Sequence, residues 1–353
     1  MSTETAGAKR FEWIDNARII AALLIVYVHM YHFFPNEPHV TSLYAIGIPM
    51  GSTLHGCVPY FLILAGYFLG RRITWGKAMD RVLWLFIPFF IWNLGVFAMS
   101  STHGVSWSDL PGMLGIGCLG SHYIHICGLP ESVPAIAVTW FLRDIVVLSL
   151  LTPLLVRYKW LVLAGMVTAL CYCRFNFISY PKIMLAPHTC FFYMLGVCLC
   201  NFKLEDAYCL FGKKFAPVYA IGFLFAVGYS IYDAHQGGYG PPVTLVGGLF
   251  GAMMIAYGGV LIERHLPRLS KMLAPCGPAC FLVFVLHYPL FFLLAPHVPK
   301  WITGTALVWL LPVLVCAVII AVFLLMKRYT PWLMPYLGHM KVPKKKVPKK
   351  QAG

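Results

Sequence analysis

Ten apolar runs, most of them close to 20 residues long, follow one another along the chain at 17–34, 51–70, 83–100, 138–156, 160–173, 184–202, 215–233, 243–262, 273–295 and 301–326. An α-helix needs about 20 apolar residues to cross a hydrocarbon core about 30 Å thick. Within that core every backbone N–H and C=O must find its partner inside the protein, so a series of such runs folds as helices packed on helices. The expected fold is all-α, a polytopic membrane helix bundle of about ten transmembrane helices. Composition agrees, with 60% hydrophobic and 11% charged residues, against about 25% charged in soluble domains.

The basic residues orient the bundle. With both termini cytoplasmic, 22 of the 27 lysines and arginines fall in inner segments or at the inner ends of runs. Such a bias is the positive-inside pattern, and it asks for an even number of spans. It divides the chain into a cytoplasmic N-terminal segment, 1–16, a membrane domain, 17–328, and a basic cytoplasmic tail, 329–353. Glu4, Glu12 and Asp15 precede or open the first run, and no small-residue cleavage pattern follows it, so that run is expected to be retained. The net charge of +15 is then mostly topology; spread over short loops, it lacks the folded basic face that nucleic-acid binding requires. The tail from Lys341 to Lys350 is broken by prolines, reads as disordered, and suits anionic lipid headgroups.

Of the twelve cysteines, nearly all sit in the apolar runs or at their inner ends and read as small packing residues. None shows zinc-ligand spacing, and no metal is expected. Cys118 and Cys127 share a long outer loop, 101–137, where a disulfide stays open as an alternative.

Against this apolar background the polar residues stand out. Arg18 and His29 lie eleven positions apart in the first run. At about 100° per residue they face the same way, within roughly 20°, and lie roughly 16 Å apart along the axis. Ionisable groups at such depth face a bundle interior or a wet cavity, so the shared face reads as a lined path. Taken singly, Arg18 serves equally as an inner anchor and His29 as a hydrogen-bonded interior residue. Counted inward from the outer ends of their runs, His29, His55, Asp144, His188 and His287 lie roughly 6–12 Å deep, in one layer. Arg18, Arg71, Arg72 and Arg81 form a second, cationic layer at the inner face. Arg143 and Asp144 are adjacent and point about 100° apart on a helix, so each is expected to seek a partner elsewhere.

The chain resembles the acyltransferase 3 family of bacterial integral-membrane O-acyltransferases, in the ten-span form without an appended extracytoplasmic domain. The likeness runs from about residue 11 to 328. It rests on the Arg-x10-His pattern of Arg18 and His29, on Phe61 to Phe68 with Ala65 at a serine position, on the Trp-Phe-Leu-Arg-Asp run ending at Asp144, and on Val285-Leu-His-Tyr-Pro289. It departs where the family often shows Arg-x-x-Arg before the proline of the third helix: Arg81 matches the first arginine, and Trp84 stands at the second.

The resemblance implies transfer of an acyl group, commonly acetyl, from cytoplasmic acyl-CoA to a hydroxyl of a glycan or lipid-linked sugar at the outer face. Acyl-CoA enters as a co-substrate; no permanently bound cofactor is implied. On this reading Arg18, Arg81, Arg71 and Arg72 hold the anionic donor. His29 is the general base or the transiently acylated group, and Asp144 fixes its tautomer. Arg143, His287 and His188 stabilise the oxyanion or hold the acceptor. The rival class is a secondary transporter or exporter of a polysaccharide or glycan intermediate, since ionisable residues also line transport paths. Against it, the halves show no convincing internal repeat. Partners are then acyl-CoA, the acceptor and membrane lipids; whether the protein works alone or as a homodimer is left open by the sequence.

Overall fold

The computed structural model describes residues 11–33, 56–71, 73–101, 140–175, 187–210, 214–235, 241–294, 297 and 305–338. Among them every regular element is helical: α1 (Glu12–Phe33), α2 (Cys57–Gly70), α3 (Trp75–Ser101), α4 (Trp140–Arg157), α5 (Lys159–Phe175), α6 (Pro187–Leu199), α7 (Leu204–Leu210), α8 (Ala216–His235), α9 (Pro241–His265), α10 (Pro267–Leu273), a 3₁₀ turn (Ala274–Ala279), α11 (Cys280–Leu294), α12 (Thr305–Tyr329) and α13 (Met334–Gly338). Each of the ten apolar runs lies on a helix. Four stretches are long and apolar enough to cross a membrane by length and composition: Glu12–Met30, Leu245–His265, Pro267–Phe291 and Trp309–Tyr329. Cys57–Gly70, Lys159–Cys171, His188–Leu199 and Ala216–Tyr229 are shorter apolar helices. Arg72, His55 and the loop residues Cys118 and Cys127 lie outside the described residues, as does the lysine-rich end of the tail.

The centre of the bundle is α1, which packs against α2, α9, the 3₁₀ turn, α11 and α12. Its small residues explain how one helix takes so many neighbours. Ala17, Ala21 and Ala22 are buried and let other backbones come close, as small residues do between membrane helices. Gly259 of α9 continues this contact: a Cβ there would overlap the Trp13 carbonyl.

The tightest crossing joins α2 to α6. A Cβ on Gly66 would strike the Tyr193 carbonyl, and a Cβ on Gly196 would strike the Ile63 carbonyl, so each helix offers a glycine to the other's backbone. The outer surface is apolar as well. Ile221, Leu224 and Phe225 on α8 and Trp160 and Leu163 on α5 are all exposed, the inverse of a water-facing helix and the pattern of a lipid-facing one.

Two local departures from a plain bundle matter below. The ninth run does not begin as an α-helix: Pro275 and Pro278 remove two backbone donors, and the chain makes a 3₁₀ turn before α11 starts at Cys280. At the other end, the chain after α12 does not simply leave. It turns at residues 331–333 and forms α13 against α3. The main packing partners of α3 are α4 and α13.

Candidate active site

His29 and His287 meet although 258 residues separate them. His287 Nε2 lies 3.3 Å from His29 Nδ1, and the ring centroids are 5.1 Å apart. His287 is fully buried, and His29 is half-buried. Each imidazole also turns Nδ1 back on its own helix, His29 toward Ile25 O at 2.8 Å and His287 toward Val283 O at 2.8 Å.

These contacts assign the protons. A carbonyl oxygen only accepts, so both Nδ1 atoms carry hydrogen. His287 Nε2 then holds a lone pair and accepts from His29 Nδ1–H, which is shared between it and Ile25 O. The consequence is that the lone pair of His29 sits on Nε2, the nitrogen turned away from both contacts. One tautomer of each ring satisfies every one of these contacts.

Aromatic rings surround the pair. Tyr288 stands edge-on to His29 at 5.8 Å between centroids. Phe291 and Phe284 each lie 6.4 Å from the His287 ring, and Phe141 of α4 packs on Phe284 at 4.7 Å. Through Phe141 the start of α4 is fixed beside the histidines, and Arg143 and Asp144 follow within the next turn.

There the structure corrects the expectation that Arg143 and Asp144 cannot neutralise each other. Arg143 Nε and Nη2 both donate to Asp144 Oδ1, at 3.1 and 3.0 Å. The argument from helical angles fixes only where the Cβ atoms point; the arginine side chain is long enough to curl across the 100° between them. Asp144 is fully buried and the Arg143 side chain is 12% exposed, so the pair is an interior one. At His29 Nδ1 a contact comes from His287.

The arginines expected to form a cationic layer are organised differently. Arg18 Nη1 donates to Asp15 Oδ1 at 3.1 Å, one helical turn away. Arg81, on α3, lies within electrostatic range of Arg18 and of Tyr193. Arg71 turns elsewhere, its Nη1 donating to the Tyr67 hydroxyl at 3.1 Å with the guanidinium over that ring. His188 is half-buried at the start of α6. Below Arg18 a buried chain ties α1 to α10: Asn16 Nδ2 donates to Ser270 Oγ at 2.8 Å, and Ser270 Oγ donates to Glu12 Oε2 at 2.7 Å.

Sequence reasoning passed over Asp15, although its i,i+3 spacing to Arg18 carries the signal. It also passed over Tyr288 and Tyr336. The first is adjacent to His287 and legible only once the rings are placed. The second packs on Trp84, with ring centroids 6.4 Å apart, at the position where the resemblance expects an arginine.

The arrangement has the parts of a proton-transfer site: an imidazole with an oriented lone pair, a fixed partner behind it, aromatic walls and cations toward one end of the same helix. No curated protein and no solved structure matches the chain. The acyltransferase domain family does match it, over residues 11–327, nearly the whole length. The chain belongs to the acyltransferase 3 family, and it is a membrane acyltransferase that transfers groups other than aminoacyl groups.

Proposed function

We propose that the protein moves an acyl group, acetyl in the first instance, from cytoplasmic acyl-CoA to a hydroxyl of a glycan or lipid-linked sugar at the outer face of a bacterial cytoplasmic membrane. The proposed frame is ten spans with both termini inside, supported by the distribution of basic residues. The single observation that carries the reading is the His29–His287 contact, because it leaves His29 Nε2 as an oriented base in the middle of an acyltransferase bundle.

In this mechanism Arg18 and Arg81 face the anionic phosphates of CoA, and the acyl arm runs along α1 toward His29. His29 Nε2 accepts the acceptor hydroxyl proton as that oxygen attacks the thioester carbon. The C–S bond then breaks, the thiolate leaves, and the proton from His29 returns to it, giving an O-acyl ester and free CoA. The imidazolium formed in between is held at Nδ1–H by His287 Nε2 and Ile25 O. On this reading Arg143, paired to Asp144, stabilises the tetrahedral oxyanion and His188 holds the acceptor.

The test is free CoA release from acetyl-CoA by purified protein in nanodiscs. Wild type is expected to turn over slowly with water as acceptor, and His29→Ala to lower kcat by about 10²–10⁴ with donor binding kept. Well-folded wild type that binds no acyl-CoA would remove the donor assignment and bring the exporter reading forward.

A further inference from the structure

Ser270 is fully buried in the middle of an exposed stretch: residues 264–269, 271 and 272 all face outward around it. At about 100° per residue, Arg268 and Met272 of α10 lie within about 40° of each other, with Lys271 and Leu269 to either side and Ser270 about 180° away. The helix therefore has one narrow anchored edge and a broad free face of two cations and two large apolar side chains. Its sequence holds no acidic residue, and Met272 is 72% exposed.

The anchor is the first turn of α1. Ser270 Oγ accepts from Asn16 Nδ2 and donates to Glu12 Oε2. In the 3₁₀ turn that follows, a Cβ on Gly277 would overlap Asp15 Oδ1. The helical path from Ser270 to Gly277 is at least about 10 Å long, yet both residues meet the stretch of α1 from Glu12 to Asn16. The segment thus lies across the end of α1 instead of running beside it. Its change of direction after α9 comes at Leu266, where φ of −129° and ψ of 58° interrupt the helix before Pro267.

A short helix laid across the end of a membrane bundle, with cations and large apolar groups on its free face, has the make-up of an interfacial helix. A soluble anion would satisfy Arg268 and Lys271 and leave Leu269 and Met272 in water. A phospholipid with a negative headgroup covers all four, phosphate against the cations and acyl chain against the apolar residues. We propose that the free face of α10 is a docking surface for anionic phospholipid at the membrane–water boundary, and that its occupancy steadies the α1 turn carrying Glu12, Asp15 and Asn16. The coupling runs through Ser270 and Gly277, where the segment meets that turn.

The experiment titrates phosphatidylglycerol into the full chain in detergent and reads bound lipid by native mass spectrometry, with Tm in parallel. Phosphatidylcholine, glycerol phosphate and acetyl-CoA are the comparison arms. Wild type is expected to gain Tm with phosphatidylglycerol, and to gain none with phosphatidylcholine or glycerol phosphate at equal concentration. Arg268→Gln with Lys271→Gln is expected to weaken phosphatidylglycerol binding about fivefold for each cation removed and to lose the Tm gain. Met272→Ser keeps both cations and is expected to lose part of the gain. Arg157→Gln with Lys159→Gln removes two exposed cations elsewhere and should keep it. All of these side chains are exposed, so the variants are expected to fold. A gain that survives in the α10 double variant, or that vanishes equally in the Arg157 and Lys159 control, overturns the docking surface. A gain from glycerol phosphate, or one from acetyl-CoA that the α10 double variant abolishes, gives the cations to a soluble anion and overturns the lipid. None of these outcomes depends on the donor assignment.

Discussion

The two ends of α1 solve the problem of polar groups in an apolar bundle in opposite ways. At the N-terminal end Arg18 is paired with Asp15 on its own helix, and Asn16, Ser270 and Glu12 form a hydrogen-bonded chain beside it. Charge there is compensated locally. At the C-terminal end His29 meets His287 on α11, 258 residues away, in a collar of Phe141, Phe284, Tyr288 and Phe291. The first arrangement keeps a charge soluble inside the protein; the second leaves a neutral imidazole poised for a proton. The difference teaches that Arg18 has a structural duty independent of any ligand, whereas the placement of the two imidazoles has none so evident.

The comparison breaks most visibly at His287. His287→Ala is expected to lower kcat by about 10–100-fold, the usual cost of removing the group that orients a reacting one. His287→Gln keeps an amide N–H for Val283 O and an oxygen for His29 Nδ1–H, and should recover most of the rate. Equal losses in both variants, measured by free CoA release, would mean that His287 acts by packing alone.

A smaller effect separates the two duties of Arg18. Arg18→Ala leaves Asp15 buried without this partner, so it should lose stability and raise KM for acyl-CoA about tenfold. Adding Asp15→Asn should restore thermal stability, since it removes the buried charge that Arg18 balanced, while KM stays high. Recovery of both in the double variant would reduce Arg18 to a structural residue. Smallest in its effect on turnover is Ser270→Ala, which opens the chain between Asn16 and Glu12. It should cost about 1–3 kcal/mol of stability for the unsatisfied groups, read as a lowered Tm in detergent, with kcat nearly unchanged.

Much of the architecture was legible because membrane helices must be apolar and continuous, and ten apolar runs announce themselves without tertiary information. The shared face of Arg18 and His29 was equally local, a matter of helical repeat. Gly66 in α2 and Gly196 in α6 each lie against the other helix's carbonyl, a pairing that neither run shows alone. The Arg143–Asp144 pair was misread because helical angles describe Cβ vectors and say little about where a guanidinium on a long flexible stem ends.

What the sequence by itself determined is the set of helices, the polar residues they carry and the depth of each along its own axis, since these follow from hydrophobicity and a rise of about 1.5 Å per residue. Only the tertiary structure decided which helices touch. It chose His287 for His29 and folded residues 334–338 back onto α3. Depth is a one-dimensional quantity that each run carries alone. Adjacency around the bundle depends on glycines and alanines meeting carbonyls on other helices, and no single run contains that information.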